Sequence, residues 1–399
     1  MHVSAANDLA RHYSRFRVGE RLLLTGHSHQ AWPDVSFDAQ QRAWLDAAEL
    51  VDRKWERAAE QAARVQAGFR RLLNDPGGEI ALTQNTHEAV ARLLSALPLD
   101  RRPTLLTSDA EFHTIRRQLD RLRQAGIPVV RVPGWPAETL AERIAHHVDD
   151  RTACVLVSSV LYETAEIVAG LDNVAAACER HGAVLLVDAY HHLNVVPFDI
   201  RGLGLEGAFI TGGGYKYCQL GEGNAFLRVP PGCRLRPVLT GWFSEFETLE
   251  EEHSGGHVAY GSGSTRWAGA TYDPTSNYRA AAVFDFHEAQ GLTADRLRAI
   301  SRHQVQLLKR AFEALDFDPS VAQAEPMPDE RRAGFLAVRA PRAGELCQAL
   351  GRAGVLCDFR GSVLRLGPAP YVRDDQLRDA IASIGEIRER LEAPARDEA

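Results

Sequence analysis

Lysine is unusually scarce in this chain. Lysine and arginine together number 46 in 399 residues, but only Lys54, Lys216 and Lys309 are lysines. Lys54 and Lys309 lie in charged, helix-like stretches, whereas Lys216 lies in a glycine-rich segment with no acidic residue within five positions. Arginine is no substitute where an amine must lose its proton, because guanidinium stays charged. Lys216 is therefore a candidate Schiff-base or general-base group.

Long apolar runs, excess positive charge and paired cysteines are also missing. The longest apolar runs, 153–157 and 183–187, have the length of a strand and not the roughly 20 residues of a membrane-spanning helix. A net charge of -7 argues against a nucleic-acid binder, which usually carries a basic surface. The six cysteines include no Cys-x-x-Cys pair, and no signal peptide is indicated, so we expect a cytoplasmic protein without nucleic-acid or membrane partners.

Short apolar runs alternate with helical periodicity from about residue 79 onward. The predicted strands span residues 79–83, 104–107, 129–132, 153–158, 183–187 and 208–211. This alternation predicts βαβ units around a mostly parallel sheet that is buried on both faces. Upstream of the first strand, the spacing of apolar residues predicts one long helix over residues 36–73.

The pattern changes after about residue 284, where a long helix precedes a mixture of strands and helices. We therefore predict an α/β protein with two domains. Residues 46–284 form a large domain with a mostly parallel, seven-stranded-type sheet, and residues 285–399 form a smaller α+β domain joined by the amino-terminal segment 1–45. Residues 392–399 are expected to fray.

Several distinctive polar residues fall at the ends of predicted strands, where open α/β sheets form their sites. They are Asn85, Thr86, Ser158, Asp188 and Lys216. An acid and a lysine on one rim of a sheet suit pyridoxal phosphate (PLP), because the lysine forms an imine and the carboxylate pairs with the protonated pyridine nitrogen. In the alternative interpretation, Asp188 only caps a strand and Lys216 is merely exposed.

The segment Gln84-Asn-Thr-His-Glu88 lies between a predicted strand and a helix. Free backbone N–H groups and the positive end of the helix dipole bind phosphate at such a position. Asn85 followed by Glu88 is also a helix-capping pattern, so a plain helix cap is the alternative. Taken with Asp188 and Lys216, the segment favours a PLP site.

The segment Val187-Asp-Ala-Tyr-His-His-Leu-Asn-Val-Val-Pro-Phe-Asp199 resembles the Asp-x-x-His segment of fold-type I, class V PLP enzymes. Within that group it is most similar to the kynureninase family, and matching segments follow in family order over nearly the whole chain. They are Gly26-His-Ser-His-Gln-Ala-Trp-Pro33, Thr83-Gln-Asn-Thr86, Ala110-Glu-Phe-His113, Gly214-Tyr-Lys-Tyr217, Gly241-Trp-Phe243 and Arg365-Leu-Gly-Pro-Ala-Pro-Tyr371. The Tyr-Lys pair with the later Gly-Trp-Phe is the most specific part.

The resemblance implies a homodimeric hydrolase of tryptophan catabolism, which cleaves the Cβ–Cγ bond of L-kynurenine or a related amino acid to alanine and an anthranilate. Lys216 would hold PLP and move the α-proton, Arg365 would clamp the substrate carboxylate, and Trp242 would reach the neighbouring subunit's site. The other cofactor contacts would be Asp188 at the pyridine nitrogen, His191 beside it, Phe112 stacked on the ring, Ser158, and Asn85, Thr86 and Tyr215 at the phosphate. Tyr215 is also a candidate for proton transfer.

Departures from the family pattern bear on the substrate. The family's amino-terminal segment usually reads Gly-Asn-Ser-Leu-Gly, but here it is Gly26-His-Ser-His-Gln30. Asp273 stands where the animal enzymes have an asparagine that contacts the substrate's ring. We therefore predict His27, His29 and Asp273 as substrate-contacting residues, and the choice among kynurenine, 3-hydroxykynurenine and another amino acid stays open.

Other functions are compatible with parts of the pattern. A class V aminotransferase or another lyase would use the same cofactor site. A desulfurase would need a cysteine on a mobile loop, whereas Cys357 is predicted in a buried strand. In a metal-dependent hydrolase, His27 and His29 would form a ligand pair with Asp188 and the histidines after it, but no metal site is predicted because the glycine-rich lysine would then have no role. A protein that binds a ligand without turnover is a further alternative.

Overall fold

The computed structural model describes residues 3–248 and 256–392. The α-helices are α1 (Val35–Leu50), α2 (Lys54–Leu72), α3 (Thr86–Ser95), α4 (His113–Gln124), α5 (Leu140–His147), α6 (Leu171–His181), α7 (Thr275–Ala289), α8 (Ala294–Glu313), α9 (Ala343–Arg352) and α10 (Asp374–Glu392). The 3-10 helices span Val3–Phe16, Val18–Glu20, Ala137–Thr139, Trp242–Thr248, Thr265–Trp267 and Asp329–Arg331. None of the helices in these two ranges has the length and apolar character needed to cross a bilayer. Of the tail predicted to fray, residues 393–399 lie outside the described residues.

The described residues also contain thirteen strands. They are β1 (Leu22–Leu23), β2 (Glu79–Thr83), β3 (Thr104–Ser108), β4 (Val129–Val132), β5 (Thr152–Ser158), β6 (Val184–Asp188), β7 (Phe209–Gly213), β8 (Ala225–Val229), β9 (Gln323–Ala324), β10 (Leu336–Arg339), β11 (Val355–Leu356), β12 (Asp358–Arg360) and β13 (Val363–Leu366). All six strands predicted between residues 79 and 211 are present: two have the predicted bounds, and the ends of the other four are shifted by one or two residues.

Seven strands form one central sheet in the order β2-β8-β7-β6-β5-β3-β4. The pairs from β7 to β4 are parallel, and β8 runs antiparallel to both β7 and β2. Alternate residues of β5 enter two separate apolar cores, with Val155 and Val157 in one and Cys154 and Leu156 in the other. The sheet is thus covered on both faces, which confirms the predicted large α/β unit.

The prediction of one helix over residues 36–73 is wrong, because the chain forms α1 and α2 with a break between them. Val51 ends α1 in the left-handed region, with φ of 53°. A β-branched residue rarely adopts this conformation, and a right-handed helix does not continue through it. Since the break contains neither glycine nor proline, the sequence carries no local signal for it.

Strand β8 was not predicted, because Arg228 interrupts its apolar run. The structure buries Arg228 by pairing its Nε with Asp75 Oδ2 at 2.8 Å. Its Nη1 donates to the carbonyl oxygens of Glu206 and Ala208. A buried charge is tolerated when it is paired and hydrogen-bonded in this way. These partners are distant in sequence, so periodicity alone gives no indication of them.

A second, four-stranded antiparallel sheet has the order β12-β13-β10-β9. Its apolar core combines residues between Leu9 and Ala31 with residues between Phe286 and Ile387. Strand β1 also pairs in parallel with β11. The smaller α+β unit therefore includes the amino-terminal segment, whereas the boundaries 46–284 and 285–399 stay a prediction.

Candidate active site

A cavity of about 320 Å³ lies at the carboxyl ends of the central strands. Eight of the predicted site residues line it: Asn85, Thr86, Phe112, Ser158, Asp188, His191, Tyr215 and Lys216. They end, or closely follow, strands β2, β3, β5, β6 and β7. Because these strands end at the same edge of one sheet, the fold brings together residues from five separate parts of the chain.

Lys216 lies just beyond β7 and is buried. The glycines before it are needed for packing, because a β-carbon on Gly213 would lie 2.5 Å from Tyr190 Oη. The amine Nζ lies 2.8 Å from His191 Nε2, and 4.6 Å and 4.9 Å from the ring centres of Tyr190 and Phe112. Burial lowers the pKa of Lys216 to about 7, although the charge of Asp188 acts in the opposite direction. The amine can therefore be neutral close to physiological pH.

We expect Lys216 in the cofactor-free protein to become reactive towards acetic anhydride as the pH rises through about 7. Below that pH the amine is protonated and is not a nucleophile, and above it the lone pair is free. Mass spectrometry can measure acetylation at each lysine, with Lys54 and Lys309 as references in the same sample. Labelling of Lys216 that begins only near the ordinary lysine pKa of about 10.4 would contradict this expectation.

Asp188 ends β6 beside Ser158 of β5, its partner in the parallel register. Its Oδ1 accepts a hydrogen bond from the backbone N–H of Tyr190 at 2.8 Å. Burial raises the pKa of Asp188, while this hydrogen bond and the charge of Lys216 lower it. Burial also strongly lowers the pKa of His191, so its imidazole is neutral beside the amine. The buried Nδ1 of His191 has no hydrogen-bond partner in the described structure.

The start of helix α3 forms another wall of the cavity. Asn85 is its N-cap, and the Asn85 side chain accepts a hydrogen bond from the backbone N–H of Glu88 at 3.0 Å. The structure therefore confirms the prediction that this segment caps a helix. Thr86 and His87 of the first helical turn also line the cavity, so the positive end of the helix faces it. Such an end attracts an anionic group such as a phosphate.

These side chains fit pyridoxal 5'-phosphate. The cavity offers an amine of lowered pKa, a buried carboxylate, an aromatic ring and a helix start, at Lys216, Asp188, Phe112 and Thr86. These four groups suit, in the same order, an imine, a pyridinium nitrogen, a flat heterocycle and a phosphate. The chemistry of the lining thus matches the cofactor at these four groups.

Glu111 was missed in the sequence analysis, although it precedes Phe112 in one of the matching segments. Its carboxylate is buried and accepts hydrogen bonds from the Ser108 hydroxyl at 2.8 Å and the Ser158 hydroxyl at 2.6 Å. Burial raises the pKa of Glu111 to about 7, against the effect of these hydrogen bonds. Ser158 is thus held by a carboxylate from behind the cavity wall. An acid at the end of a predicted strand was the available signal.

Five predicted site residues do not line this cavity: His27, His29, Trp242, Asp273 and Arg365. His29 contacts a lining residue, with its ring stacked on Tyr215 at 4.9 Å between centroids. Asp273 accepts hydrogen bonds from the backbone N–H and hydroxyl of Thr275 at the start of α7. The two histidines have different partners: the His27 imidazole is fully buried against Asp358, whereas the His29 ring contacts Tyr215. Contact of these residues with a substrate stays a prediction.

Arg365 lies in β13 and is 2% exposed. Its Nε and Nη2 donate to the two carboxylate oxygens of Asp358, at 2.8 Å and 2.5 Å. Its Nη1 donates to the carbonyl oxygen of Tyr162 at 2.7 Å, and Tyr162 lines the cavity. The guanidinium therefore contacts a residue of the cavity wall and is paired with Asp358.

Trp242 lines a second, apolar cavity of about 590 Å³. Its other aromatic residues are Trp55, Phe243, Phe246 and Tyr272. Gln84 and Gly223 line both cavities, so the two are adjacent. Trp242 itself is 46% exposed.

Cys357 differs from its prediction as a buried strand residue. It lies half-buried between β11 and β12, and its sulfur is 3.7 Å from that of Cys347 in α9. Among the described residues no cysteine lines the first cavity. Nor does any group of three or more histidine, cysteine or acidic side chains in residues 3–248 and 256–392 have an arrangement suited to a metal ion.

The chain is similar to kynureninases and to a protein named as an aminotransferase. Residues 297–384 match the family model of the kynureninase C-terminal domain. The chain is 27% identical to a kynureninase of Bacillus cereus over 297 residues, which cover 72% of this chain and 67% of the relative. It is 25% identical to the uncharacterized aminotransferase YcbU of Bacillus subtilis over 334 residues, which cover 83% of this chain and 85% of the relative.

Solved structures share the fold at lower sequence identity. A C-DES mutant with glycine covalently linked to its PLP cofactor superposes with a TM-score of 0.81 at 17% identity. The match covers 94% of this chain and 98% of that structure. This likeness extends the fold assignment to both units of the chain.

Proposed function

We propose that this chain, a kynureninase-like, fold-type I enzyme that uses pyridoxal 5'-phosphate, hydrolyses the Cβ–Cγ bond of L-kynurenine or a related amino acid. One observation carries the proposal: a chain similar to kynureninases places Lys216, Asp188 and Tyr215 at a single cavity. The reaction adds water across the bond and releases alanine and an anthranilate. The substrate is thus an amino acid with a carbonyl at its γ-carbon.

Bound PLP supplies an electron sink that stabilises negative charge on the carbon next to the substrate's nitrogen. Lys216 would hold the cofactor, Asp188 would pair with its ring nitrogen, and Phe112 would pack on its ring. The start of α3 at Asn85 and Thr86 binds its phosphate. These assignments rest on the lining of the cavity and on the chemical match of each group.

Proton transfer falls to Lys216 and Tyr215 in this proposal. Lys216 Nζ accepts the substrate's α-proton, because a buried amine with a pKa of about 7 both takes up and returns protons near neutral pH. His191 Nε2, at 2.8 Å, fixes the position of that amine. Burial raises the pKa of Tyr215, which keeps its hydroxyl protonated as a donor at the cavity wall.

The bond changes of the hydrolysis balance with one water molecule. The water oxygen bonds to Cγ, and the Cβ–Cγ bond breaks with its electron pair left on Cβ. Cβ then takes a proton, for which Tyr215 is the assigned donor, and Cγ leaves as the carboxylate of the anthranilate. General acid–base groups at this position contribute roughly 10²- to 10⁴-fold to rates.

The proposal is tested by incubating the PLP-loaded protein with L-kynurenine and with 3-hydroxykynurenine. We expect equal molar amounts of alanine and the matching anthranilate, measured by mass spectrometry. Formation of a keto acid with loss of the substrate's amino group would instead indicate transamination, the second candidate, which the similarity to YcbU supports. No product from either amino acid would overturn the kynureninase assignment.

We also propose that the chain works as a homodimer. Trp242 and Phe246, which line the apolar cavity, are 46% and 57% exposed, and Val238 nearby in sequence is 78% exposed. Exposed aromatic patches of this kind mark association surfaces. Light scattering of the PLP-loaded protein is expected to give twice the chain mass of 44.0 kDa. A monomer at micromolar concentration would contradict this proposal.

A further inference from the structure

Asp358 and Arg365 are fixed opposite each other by backbone pairing. Asp358 begins β12, Arg365 lies in the antiparallel strand β13, and the register pairs the two residues directly. Side chains directly opposite in an antiparallel pair lie close enough to interact. The ion pair is therefore a product of the strand register and not of two flexible surface side chains.

The hydrogen bonds of Arg365 leave a defined part of its guanidinium unused. A guanidinium carries five N–H groups. The Asp358 carboxylate accepts hydrogen bonds from the N–H on Nε and from one N–H on Nη2, and the Tyr162 carbonyl oxygen accepts one from an N–H on Nη1. One N–H group thus remains on each terminal nitrogen, which is the number that a second carboxylate binds in a bidentate pair.

His27 supports Asp358 from the other side. Its Nε2 lies 2.7 Å from Asp358 Oδ1, and its ring packs on Phe335 at 4.7 Å between centroids. Burial lowers the pKa of His27 to about 4, so the ring is neutral and donates its Nε2 proton. Asp358, despite its partial burial, has a pKa well below the ordinary value because His27 and Arg365 both donate to it. It therefore stays ionised throughout the neutral range.

The charges of this cluster sum to one unit of positive charge. Arg360 Nη2 lies 3.6 Å from Asp358 Oδ2, so two arginines surround a single carboxylate and a neutral imidazole. A net charge of this sign and size is complementary to one carboxylate. The cluster also acts on Lys216, whose pKa Arg365 and Arg360 lower and Asp358 raises, after the larger effect of burial.

We propose that Asp358 and His27 are positioning residues, which hold Arg365 so that its two remaining N–H groups receive the α-carboxylate of an amino-acid substrate. This inference rests on the proposed function and on the role that the family resemblance implies for Arg365, which is to bind that carboxylate. A guanidinium already locked in place loses less conformational freedom when the substrate binds. His27 thereby acts through Asp358 and Arg365 and not by touching the substrate.

The test compares ligands with and without a carboxylate. L-Alanine and ethylamine are titrated into the PLP-loaded protein, and binding is followed by the absorbance of the cofactor. We expect Asp358→Asn to weaken L-alanine binding by roughly tenfold, the effect of losing a hydrogen bond to a charged group. Ethylamine binding is expected to stay unchanged. Equal weakening for both ligands would show a merely structural role and overturn the inference.

A double-mutant cycle adds a second criterion. In an Arg365→Ala background, Asp358→Asn is expected to have no further effect on L-alanine binding, because the residue it positions is gone. Additive losses would contradict the inference. The matched control is Glu325→Gln, which breaks a comparable bidentate pair with Arg339 beside the same small sheet. It is expected to leave both ligands unaffected.

Two histidine variants keep the inference testable if Asp358→Asn does not fold. His27→Ala removes the donor to Asp358 and is expected to weaken L-alanine binding selectively, whereas His27→Gln retains an amide donor and restores it. Equal behaviour of these two variants would contradict a positioning role. A protein that binds L-alanine but does not cleave kynurenine refutes the proposed function alone. Binding of neither amino acid refutes both.

Discussion

Replacement of Lys216 by alanine is expected to abolish turnover, with a loss on the order of 10³-fold or more. The amine is the only basic nitrogen assigned to the substrate's α-proton, and it also anchors the cofactor. Lys216→Arg is expected to lose as much, because guanidinium does not release its proton near neutral pH. Product formation from L-kynurenine measures the first effect. Mass spectrometry after borohydride reduction measures loss of the covalent link between chain and cofactor.

The scarcity of lysine makes the controls for this experiment simple. Lys309→Arg changes a lysine that pairs with Asp329 at 3.4 Å in α8, away from the cavity lining. Its activity and cofactor content are expected to match the wild type. Cofactor attached to Lys54 or Lys309 in the reduced wild type, or full activity in Lys216→Ala, would refute the assignment of Lys216. Thermal unfolding of each variant separates loss of chemistry from loss of fold.

The Asp188→Asn variant is expected to reduce kcat by about 10²- to 10³-fold, the usual effect of removing one preorganised electrostatic group. The asparagine carbonyl can still accept the hydrogen bond that Asp188 Oδ1 receives from Tyr190 N–H. The variant thus removes the negative charge that keeps the cofactor's ring nitrogen protonated, with little change in shape. Cofactor attachment at Lys216 is expected to persist.

The control for Asp188 is another buried carboxylate outside the site. Asp46 in α1 accepts a hydrogen bond from Tyr278 at 2.9 Å and does not line the cavity. Asp46→Asn is expected to affect stability but not kcat of the folded protein. If both variants lowered kcat equally, or if Asp188→Asn were fully active, the role of Asp188 at the ring nitrogen would be refuted.

Much of the central sheet was predictable because its strands are local patterns. The parallel strands β3 to β7 are short apolar runs bounded by polar residues, and their ends locate Ser158, Asp188 and Lys216 on one rim. Strand β8 escaped prediction because Arg228 is neutralised by Asp75, more than a hundred positions away. The break at Val51 escaped because it depends on backbone geometry without a glycine or proline signal.

The sequence by itself determined which polar residues end which strands, and that Lys216 is the amine among them. It did so because periodicity and residue type are local properties. Only the tertiary structure decided that the amine meets His191, that Glu111 lies behind Ser158, and that Arg365 is held by Asp358 and His27. Burial and charge pairing depend on neighbours from distant segments, and these set the pKa values on which the chemistry relies.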